Sequence, residues 1–196
     1  MTWVIVGLGN PDEEHIHTRH NAGRMALEYF VKQAKLGEWK DDAKARSFVM
    51  RGAIGKALIV GLLPNTYMNK SGTAVARFVK SVKAAERLIL AYDDLDLPLG
   101  RIKISFDRGS GGHNGVESVI RSVKTRAFVR IRIGVAPHDA DGNAKKPQGE
   151  VAVERFLLSD FRPGELAALK ASLKRASEAM EAIITGGREK AMSEFN

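Results

Sequence analysis

The chain opens with an apolar run, TWVIVGL at residues 2–8, and this stretch decides the kind of fold. A short apolar run that is rich in β-branched residues predicts a buried β-strand. The turn signal GNPD follows at residues 9–12, and Asn21 is then placed to cap a helix that ends near Gly37. A strand, a turn and an amphipathic helix in succession indicate an α/β arrangement.

The same alternation of strands and helices continues to the end of the chain. Further strands are predicted at residues 48–50, 57–60, 87–92, 101–106 and 128–135, and further helices from Ser71 through Val82, from Gly115 and over 163–185. Residues 138–149 are polar and glycine-rich, which predicts a surface loop. The strands near residues 48 and 58 suggest a hairpin. We therefore expect one α/β domain over residues 1–196, with a central mixed sheet in a three-layer α/β/α arrangement.

The composition excludes several classes of protein. The 196 residues contain no cysteine, which removes disulfides, zinc–cysteine sites and thiol nucleophiles. No apolar run approaches the ~20 residues that a membrane span needs, and the N-terminus lacks the basic segment and cleavage site of a signal peptide. We expect a cytoplasmic protein that does not contact a membrane.

Positive charge is concentrated in one part of the chain. The net charge is +8, and residues 99–132 contain eight basic and two acidic side chains. A basic zone of this kind favours a polyanionic partner, most commonly a nucleic acid. Charge alone leaves a solvated basic face equally open.

Three familiar catalytic or cofactor patterns are incomplete. GLGNP at residues 7–11 follows a strand but lacks the third glycine and the immediate helix of a dinucleotide fingerprint. No serine stands in a nucleophile elbow. His15, His17 and His20 invite a metal interpretation, but no carboxylate pattern of a known metal site accompanies them, so we predict no metal.

His20 is the best candidate for a catalytic group. It lies in the polar segment TRHNAG at residues 18–23, and imidazole exchanges a proton near neutral pH. The acidic segment DDLDLP at residues 93–98 follows a strand and offers Asp93 or Asp96 as its orienting partner. With cysteine and an elbow serine absent, hydrolysis here needs a water activated by His20. The segment GGHNG at residues 111–115 opens a helix, whose free N–H groups suit a phosphate or a carbonyl oxygen.

Six ordered motifs then carry a resemblance to the bacterial-type peptidyl-tRNA hydrolases. The chain is similar to that family over nearly its whole length, through VGLGNP (6–11), TRHNAG (18–23), PNTYMNKSG (64–72), DDLDLP (93–98), GGHNG (111–115) and RIRIG (130–134). The resemblance implies a cofactor-free, monomeric enzyme that cuts the ester between a peptide and the terminal ribose of tRNA. Such an enzyme recycles tRNA from abandoned translation.

The resemblance also implies a role for individual residues. His20 is expected to accept a proton from water, Asp93 to hold it in its basic form, and Asn10 to read the blocked amino end of the substrate. Contacts to the peptide or to the acceptor stem and terminal adenosine of the tRNA are expected from His15, Tyr67, Met68, Asn69, His113 and Asn114. Basic tRNA contacts are expected from Lys103, Arg108 and Arg132, and we expect binding to weaken steeply as salt rises.

Four positions depart from the family pattern. His15 replaces an aromatic tyrosine, Ser105 stands where a basic residue is frequent, Tyr92 stands where histidine is common, and Asp107-Arg108 replaces a more glycine-rich stretch. Two rival functions stay open at this point: an RNA-binding protein that has lost turnover, and a small-molecule esterase. Retention of His20, Asp93, Asn10 and Asn114 argues against the first, and the basic zone argues against the second.

Overall fold

Seven β-strands form one mixed sheet in the computed structural model, which describes residues 1–196. The order across the sheet is β2-β3-β4-β1-β5-β7-β6. The central strands β4, β1, β5 and β7 run parallel, whereas the pairs β2–β3, β3–β4 and β6–β7 are antiparallel. The strands are β1 (Thr2–Gly7), β2 (Lys40–Asp42), β3 (Ser47–Ile54), β4 (Ala57–Pro64), β5 (Leu88–Pro98), β6 (Ile102–Phe106) and β7 (Val129–Ala136).

Helices cover both faces of this sheet. One hydrophobic core lies between the sheet and helices α1, α6 and α7, and a second lies between the opposite face and helices α2, α3 and α4. The predicted mixed sheet between helical layers is therefore confirmed. The helices are α1 (Ala22–Gln33), α2 (Ser71–Val75), α3 (Val82–Ala85), α4 (Asn114–Val123), α5 (Glu150–Leu157), α6 (Leu166–Gly186) and α7 (Arg188–Phe195).

The predicted continuous helix from Ser71 through Val82 is wrong. Helix α2 ends at Val75, and Ser81 begins α3 by accepting a hydrogen bond from the Ala84 N–H at its Oγ, 3.1 Å away. Val75 and Val79 nevertheless pack into the same core. A single apolar face therefore persists across the turn, and the hydrophobic spacing cannot reveal the break.

Strand β5 is longer than the sequence suggests. It runs through the acidic segment to Pro98, with a register shift against β7 between Asp94 and Pro98. A β-carbon on Gly134 of β7 would lie 2.1 Å from the Pro98 carbonyl oxygen, so only glycine permits this close approach. The extension places Asp93 inside the sheet rather than in an exposed turn.

The side chain of Asn196 forms hydrogen bonds with the outer edge of strand β6. The Asn196 Oδ1 accepts a hydrogen bond from the Ile104 N–H at 2.7 Å, and its Nδ2 donates to the Ile104 carbonyl oxygen at 3.0 Å. The amide of Asn196 thus pairs with β6 as a neighbouring strand would.

None of the helices is both long and apolar enough to cross a membrane.

Candidate active site

An open cleft of about 1180 Å³ lies at the carboxyl ends of the parallel strands. Strand β1 pairs with β4 on one side and with β5 on the other, so the chain leaves these strands in different directions and a crevice forms between them. Asn10 follows β1, Met68 follows β4 and Asp93 lies on β5, and all three side chains line the cleft.

Two glycines bring the start of α1 against the sheet. A β-carbon on Gly23 would lie 2.3 Å from the Ala91 carbonyl oxygen, and one on Gly7 would lie 2.6 Å from the Gly23 carbonyl oxygen. The glycines of the GLGNP and TRHNAG motifs therefore serve close packing. This packing sets the 3₁₀ turn Arg19–Asn21 beside β5, so that His20 meets Asp93.

His20, Asp93 and His113 form one hydrogen-bonded group. His20 Nδ1 donates to Asp93 Oδ1 at 2.9 Å and lies 3.0 Å from Oδ2, and His113 Nε2 donates to Oδ1 at 3.0 Å. The Asp93 side chain is 1% exposed, whereas that of His20 is 13% exposed. An ionised carboxylate only accepts hydrogen bonds, so Nδ1 of His20 carries a hydrogen. In neutral His20 the lone pair is therefore on Nε2, which has no partner within the protein.

The charges in this group are coupled. Burial opposes a charged imidazole, but the Asp93 charge and its hydrogen bond outweigh burial and raise the pKa of His20 above its ordinary value of 6.5. Burial also opposes the Asp93 carboxylate, but the two histidines hold the pKa of Asp93 well below its usual range. Asp93 is therefore ionised wherever His20 titrates.

His113 lies on the other side of Asp93 and begins helix α4. Its Nδ1 accepts from the backbone N–H groups of Gly115 at 3.1 Å and Val116 at 3.3 Å. Both ring nitrogens are thus used within the protein. His113 lines the cleft with both ring nitrogens occupied, and its role as a substrate contact stays a prediction.

The same three residues are close enough to suggest a metal site, since their ligating atoms lie within 4.8 Å of one another. The hydrogen-bond pattern does not fit a metal. Nδ1 of His113 accepts two N–H groups, so the hydrogen of the neutral ring is on Nε2, the only nitrogen that faces Asp93. The metal interpretation that the sequence invites, and that we did not predict, joins His15 and His17 to His20. The structure instead places His15 with Asp12 and Glu14, in a group apart from His20.

Asn10 is held from three sides and leaves one group free. Its backbone N–H donates to Asn21 Oδ1 at 2.8 Å, and its carbonyl oxygen accepts from Asn21 Nδ2 at 3.0 Å. Its own Oδ1 accepts from the Met68 N–H at 3.0 Å. Asn10 therefore presents its Nδ2, a hydrogen-bond donor, to the cleft. Asn21, predicted as a helix cap, makes no capping bond and positions Asn10 instead.

Most of the other predicted site residues also reach the cleft. Its lining includes Tyr67, Met68, Asn69, Asn114, Lys103, Arg108 and Arg132. Arg132 is engaged there, because its Nε donates to Asp94 Oδ2 at 2.6 Å. His15 is the exception among the predicted contacts, because it does not line the cleft.

Two contributions to the cleft were not predicted. Helix α5 lines it with Glu150, Val153 and Leu157, although no residue of α5 is buried, so its sequence lacks a core-facing stripe. Arg130, which is 1% exposed, donates to the carbonyl oxygens of Arg108 and Gly109 and so fastens the start of the glycine-rich loop. Its place in an apolar strand segment was the available signal, since a buried arginine needs partners.

Comparison with known proteins agrees with this geometry. A sequence model of the family described as peptidyl-tRNA hydrolase matches residues 4–196. A peptidyl-tRNA hydrolase of Carboxydothermus hydrogenoformans is 38% identical over 195 residues, which cover 99% of this chain and 98% of the relative. One from Aquifex aeolicus is 36% identical over 195 residues, covering 98% and 95%.

Solved structures show the same likeness. The crystal structure of peptidyl-tRNA hydrolase from Acinetobacter baumannii superposes with a TM-score of 0.88 at 31% identity. The match covers 100% of this chain and 94% of that one. Family, relatives and fold thus agree over nearly the whole length, and the chain belongs to the peptidyl-tRNA hydrolase family.

Proposed function

We propose that this enzyme hydrolyses the ester bond between a peptide and tRNA through a water molecule activated by His20. The products are free peptide and free tRNA, so tRNA from abandoned translation is recycled. The observation that carries this proposal is the His20–Asp93 pair, which leaves Nε2 of His20 unpartnered beside the cleft. Family membership over residues 4–196 supports the choice of substrate.

The proposed reaction needs only a proton acceptor and an orienting carboxylate. Nε2 of neutral His20 takes a proton from water as the water oxygen attacks the ester carbonyl carbon. The bond between that carbon and the ribose oxygen then breaks, and imidazolium His20 returns the proton to the ribose oxygen. Asp93 holds the imidazole in the tautomer with a free Nε2 and stabilises the imidazolium between the two steps.

We assign the choice of blocked substrates to Asn10. A peptide or an acylated amine presents a carbonyl oxygen, which accepts from the free Nδ2 of Asn10. A free α-ammonium group is itself a donor, so it meets another donor at the same place. The side-chain amide of Asn10 cannot flip without losing the hydrogen bond that its Oδ1 accepts from the Met68 N–H. The preference of the site for a hydrogen-bond acceptor is therefore fixed by the fold.

We assign the remaining contacts by their chemistry. The exposed Lys103 and Arg108 are suited to acceptor-stem phosphates near the terminal adenosine, together with the guanidinium nitrogens that Arg132 does not use on Asp94. The side-chain amides of Asn69 and Asn114 are suited to hydrogen bonds with peptide or RNA groups. Tyr67 and Met68 form an apolar part of the cleft wall beside them. We further propose that residues 1–196 act as a single, monomeric, cytoplasmic domain without a cofactor.

The test is release of peptide from N-acetylated aminoacyl-tRNA, measured beside unblocked aminoacyl-tRNA and a simple soluble ester. The wild-type protein is expected to hydrolyse the blocked tRNA and to spare the other two. His20→Asn is the matched variant, because its amide still donates to Asp93 but offers no basic nitrogen. We expect it to reduce kcat by about 10²–10⁴-fold while binding of the blocked tRNA is retained.

Three results would contradict these assignments separately. Wild-type turnover by His20→Asn would remove His20 as the base. Hydrolysis of the simple ester at a comparable rate would favour a small-molecule esterase. Binding of tRNA without any peptide release by the wild-type protein would favour an RNA-binding protein that does not turn over.

A further inference from the structure

Asp93 serves two histidines, and only one of them is needed for the proposed proton transfer. Both imidazoles reach the same oxygen, with His20 Nδ1 at 2.9 Å and His113 Nε2 at 3.0 Å from Oδ1. The ring centroids of the two histidines are 5.2 Å apart, so the rings are neighbours. The second histidine must therefore influence the charge that the first one experiences.

The protonation of His113 is restricted by the helix that it caps. Its Nδ1 accepts from two backbone N–H groups, those of Gly115 and Val116. A hydrogen on that nitrogen would point at both of these donors. Neutral His113 with its hydrogen on Nε2 satisfies every partner at once.

The charged and titratable groups on the elements that pack against His113 do not replace its hydrogen bond to Asp93. On β5, Tyr92 packs edge-on against the His113 ring with centroids 4.9 Å apart, and burial raises the pKa of its phenol above 10.0, so the phenol is neutral. On the turn that holds His20, the neighbouring Arg19 points away and pairs with Glu165.

The remaining charges are engaged or exposed. On β7, Arg132 pairs with Asp94, and Arg130 donates to loop carbonyls. The other charged groups that line the cleft are exposed to water, which screens them: Asp96, Lys103, Arg108, Lys146, Glu150 and Glu154.

We propose that His113 is a positioning residue that is held in a single tautomer and shares the Asp93 carboxylate with His20. Its N–H orients the carboxylate and takes part of its negative charge, which limits how firmly Asp93 retains a proton on His20. His20 is thereby released as a base at a lower pH than a pair with Asp93 alone permits. This inference rests on the proposed role of His20.

The first experiment reads the tautomer without using activity. In long-range ¹H–¹⁵N correlation spectra of the full-length protein, neutral His113 is expected to carry its hydrogen on Nε2 and none on Nδ1. Neutral His20 is expected to carry its hydrogen on Nδ1, and its change from imidazolium to neutral is expected to be centred above pH 6.5. A hydrogen on Nδ1 of neutral His113 would overturn the proposal, whatever the enzyme does.

The second experiment separates the two bonds of His113 with a matched pair of variants. His113→Asn keeps an acceptor for the helix N–H groups but is too short to reach Asp93, whereas His113→Gln keeps a donor for Asp93 and fits the cap poorly. The readouts are the pH profile of kcat/KM on N-acetylated aminoacyl-tRNA and the Tm. His138→Asn, which changes an exposed histidine, is the control for the substitution itself.

Each of the two variants is expected to change one readout, the pH midpoint or the Tm, and to leave the other unchanged. His113→Asn should keep the wild-type Tm and move the midpoint of the pH profile to higher pH by about one unit, a loss of about tenfold in kcat/KM below the midpoint. His113→Gln should keep the wild-type midpoint and lower the Tm. An unmoved or lowered midpoint in His113→Asn overturns the proposal, whereas a wild-type profile without any histidine step instead contradicts His20 as the base.

Discussion

Arg19 and His20 are neighbours on one turn, and each pairs with a carboxylate, yet the two pairs have opposite characters. Arg19 is 2% exposed, lies 4.5 Å and 4.9 Å from the ring centroids of Phe156 and Phe161, and donates to Glu165 at 2.6 Å. His20 lies at the cleft and donates to Asp93 at 2.9 Å. One pair is enclosed by aromatic rings, and the other opens to solvent on one side.

The two pairs differ in whether the cationic side chain keeps a nitrogen atom free for chemistry. The guanidinium of Arg19 is permanently charged and is enclosed by Phe156 of α5 and by Phe161 and Glu165 of the segment that follows α5, so it has no chemistry to offer. The imidazole of His20 uses one nitrogen for Asp93 and keeps the other free, and its charge changes near neutral pH. A carboxylate–cation pair thus fastens the fold in one case and holds the proposed base in the other, because of a single unpartnered nitrogen.

The enclosed pair also serves the open one. The Arg19 N–H donates to the Ser159 carbonyl oxygen at 3.1 Å, and Glu165 also accepts from the Arg162 N–H at 2.7 Å. The segment between α5 and α6 is thereby tied to the turn that carries His20. Arg19 therefore positions its neighbour without touching the cleft.

The sharpest test of the open pair is Asp93→Asn, which has the largest expected effect. An asparagine carries a donor where Asp93 has a second acceptor, so it favours the His20 tautomer with hydrogen on Nε2 and occupies the basic lone pair. We expect kcat for N-acetylated aminoacyl-tRNA to fall by about 10²–10⁴-fold with little change in substrate binding. Single-turnover kinetics measure this directly.

Asp96→Asn is the matched control for that substitution. It removes the same charge from the same strand, but Asp96 is exposed and pairs with Lys146 at 2.5 Å. An exposed pair contributes at most about 1 kcal/mol, so the rate should change by less than about fivefold. An equal loss in both variants would mean that the charge of the acidic segment, and not the bond to His20, supports the reaction.

The pH profile sharpens the contrast further and has the next largest effect. Because the Asp93 carboxylate raises the pKa of His20 above 6.5, kcat/KM should rise about tenfold per pH unit below a midpoint that lies above 6.5. In the residual activity of Asp93→Asn, only burial remains, so the midpoint should move to lower pH. A midpoint that moves to higher pH would contradict the assigned electrostatics.

The same pKa shifts predict that stability and activity have different pH optima. The raised pKa of His20 stabilises the fold below pH 6.5, and this contribution is lost as pH rises through the folded pKa. The lowered pKa of Asp93 stabilises the fold above its ordinary value of 3.8 and is lost in acid. The pair therefore contributes most to stability where His20 is protonated, which is where the proposed base cannot accept a proton.

The enclosed pair is tested by Arg19→Met, with the smallest expected effect on chemistry. The substitution leaves Glu165 without its cation, and the free energy of unfolding should fall by about 3 kcal/mol, or about 6–12 °C in Tm. The value is at the low end of the range for broken buried pairs because Glu165 is 23% exposed. Thermal and urea unfolding provide the measurement.

The double variant Arg19→Met with Glu165→Leu checks the cause. Removing both charges should recover part of the lost stability, since no buried charge is then left unpaired. Below the unfolding transition, kcat of Arg19→Met should fall by less than about tenfold. If it fell as far as in Asp93→Asn without loss of stability, the division between an enclosed and an open pair would be wrong.

The His20–Asp93 pair can be predicted from the sequence, whereas the Arg19–Glu165 pair cannot. His20 stands in the polar segment between β1 and α1, and Asp93 follows the apolar start of β5. The carboxyl ends of neighbouring parallel strands bring such residues together. Arg19 stands in the same motif, but its partner is 146 residues away and its role depends on how α5 and α6 pack. The link from His113 to Asp93 likewise depends on where α4 begins relative to β5, which no local pattern specifies.

The fold shows the same limit. Periodicity predicts the central strands and the helices α1, α4 and α6, because each of them buries an apolar face. It does not predict α5, which buries no residue, or the break after Val75, where both sides of the turn pack on one core. Contacts between distant segments decide these features.

The amide of Asn196 on strand β6 has a consequence for how this protein behaves among its own copies. An edge strand with unpaired N–H and C=O groups is a template for a strand from another molecule, and β6 borders a sheet rich in apolar residues. By occupying both backbone groups of Ile104, one side chain removes the pairing position at the middle of that edge. The bonds that end the sheet thus also oppose its continuation into an aggregate.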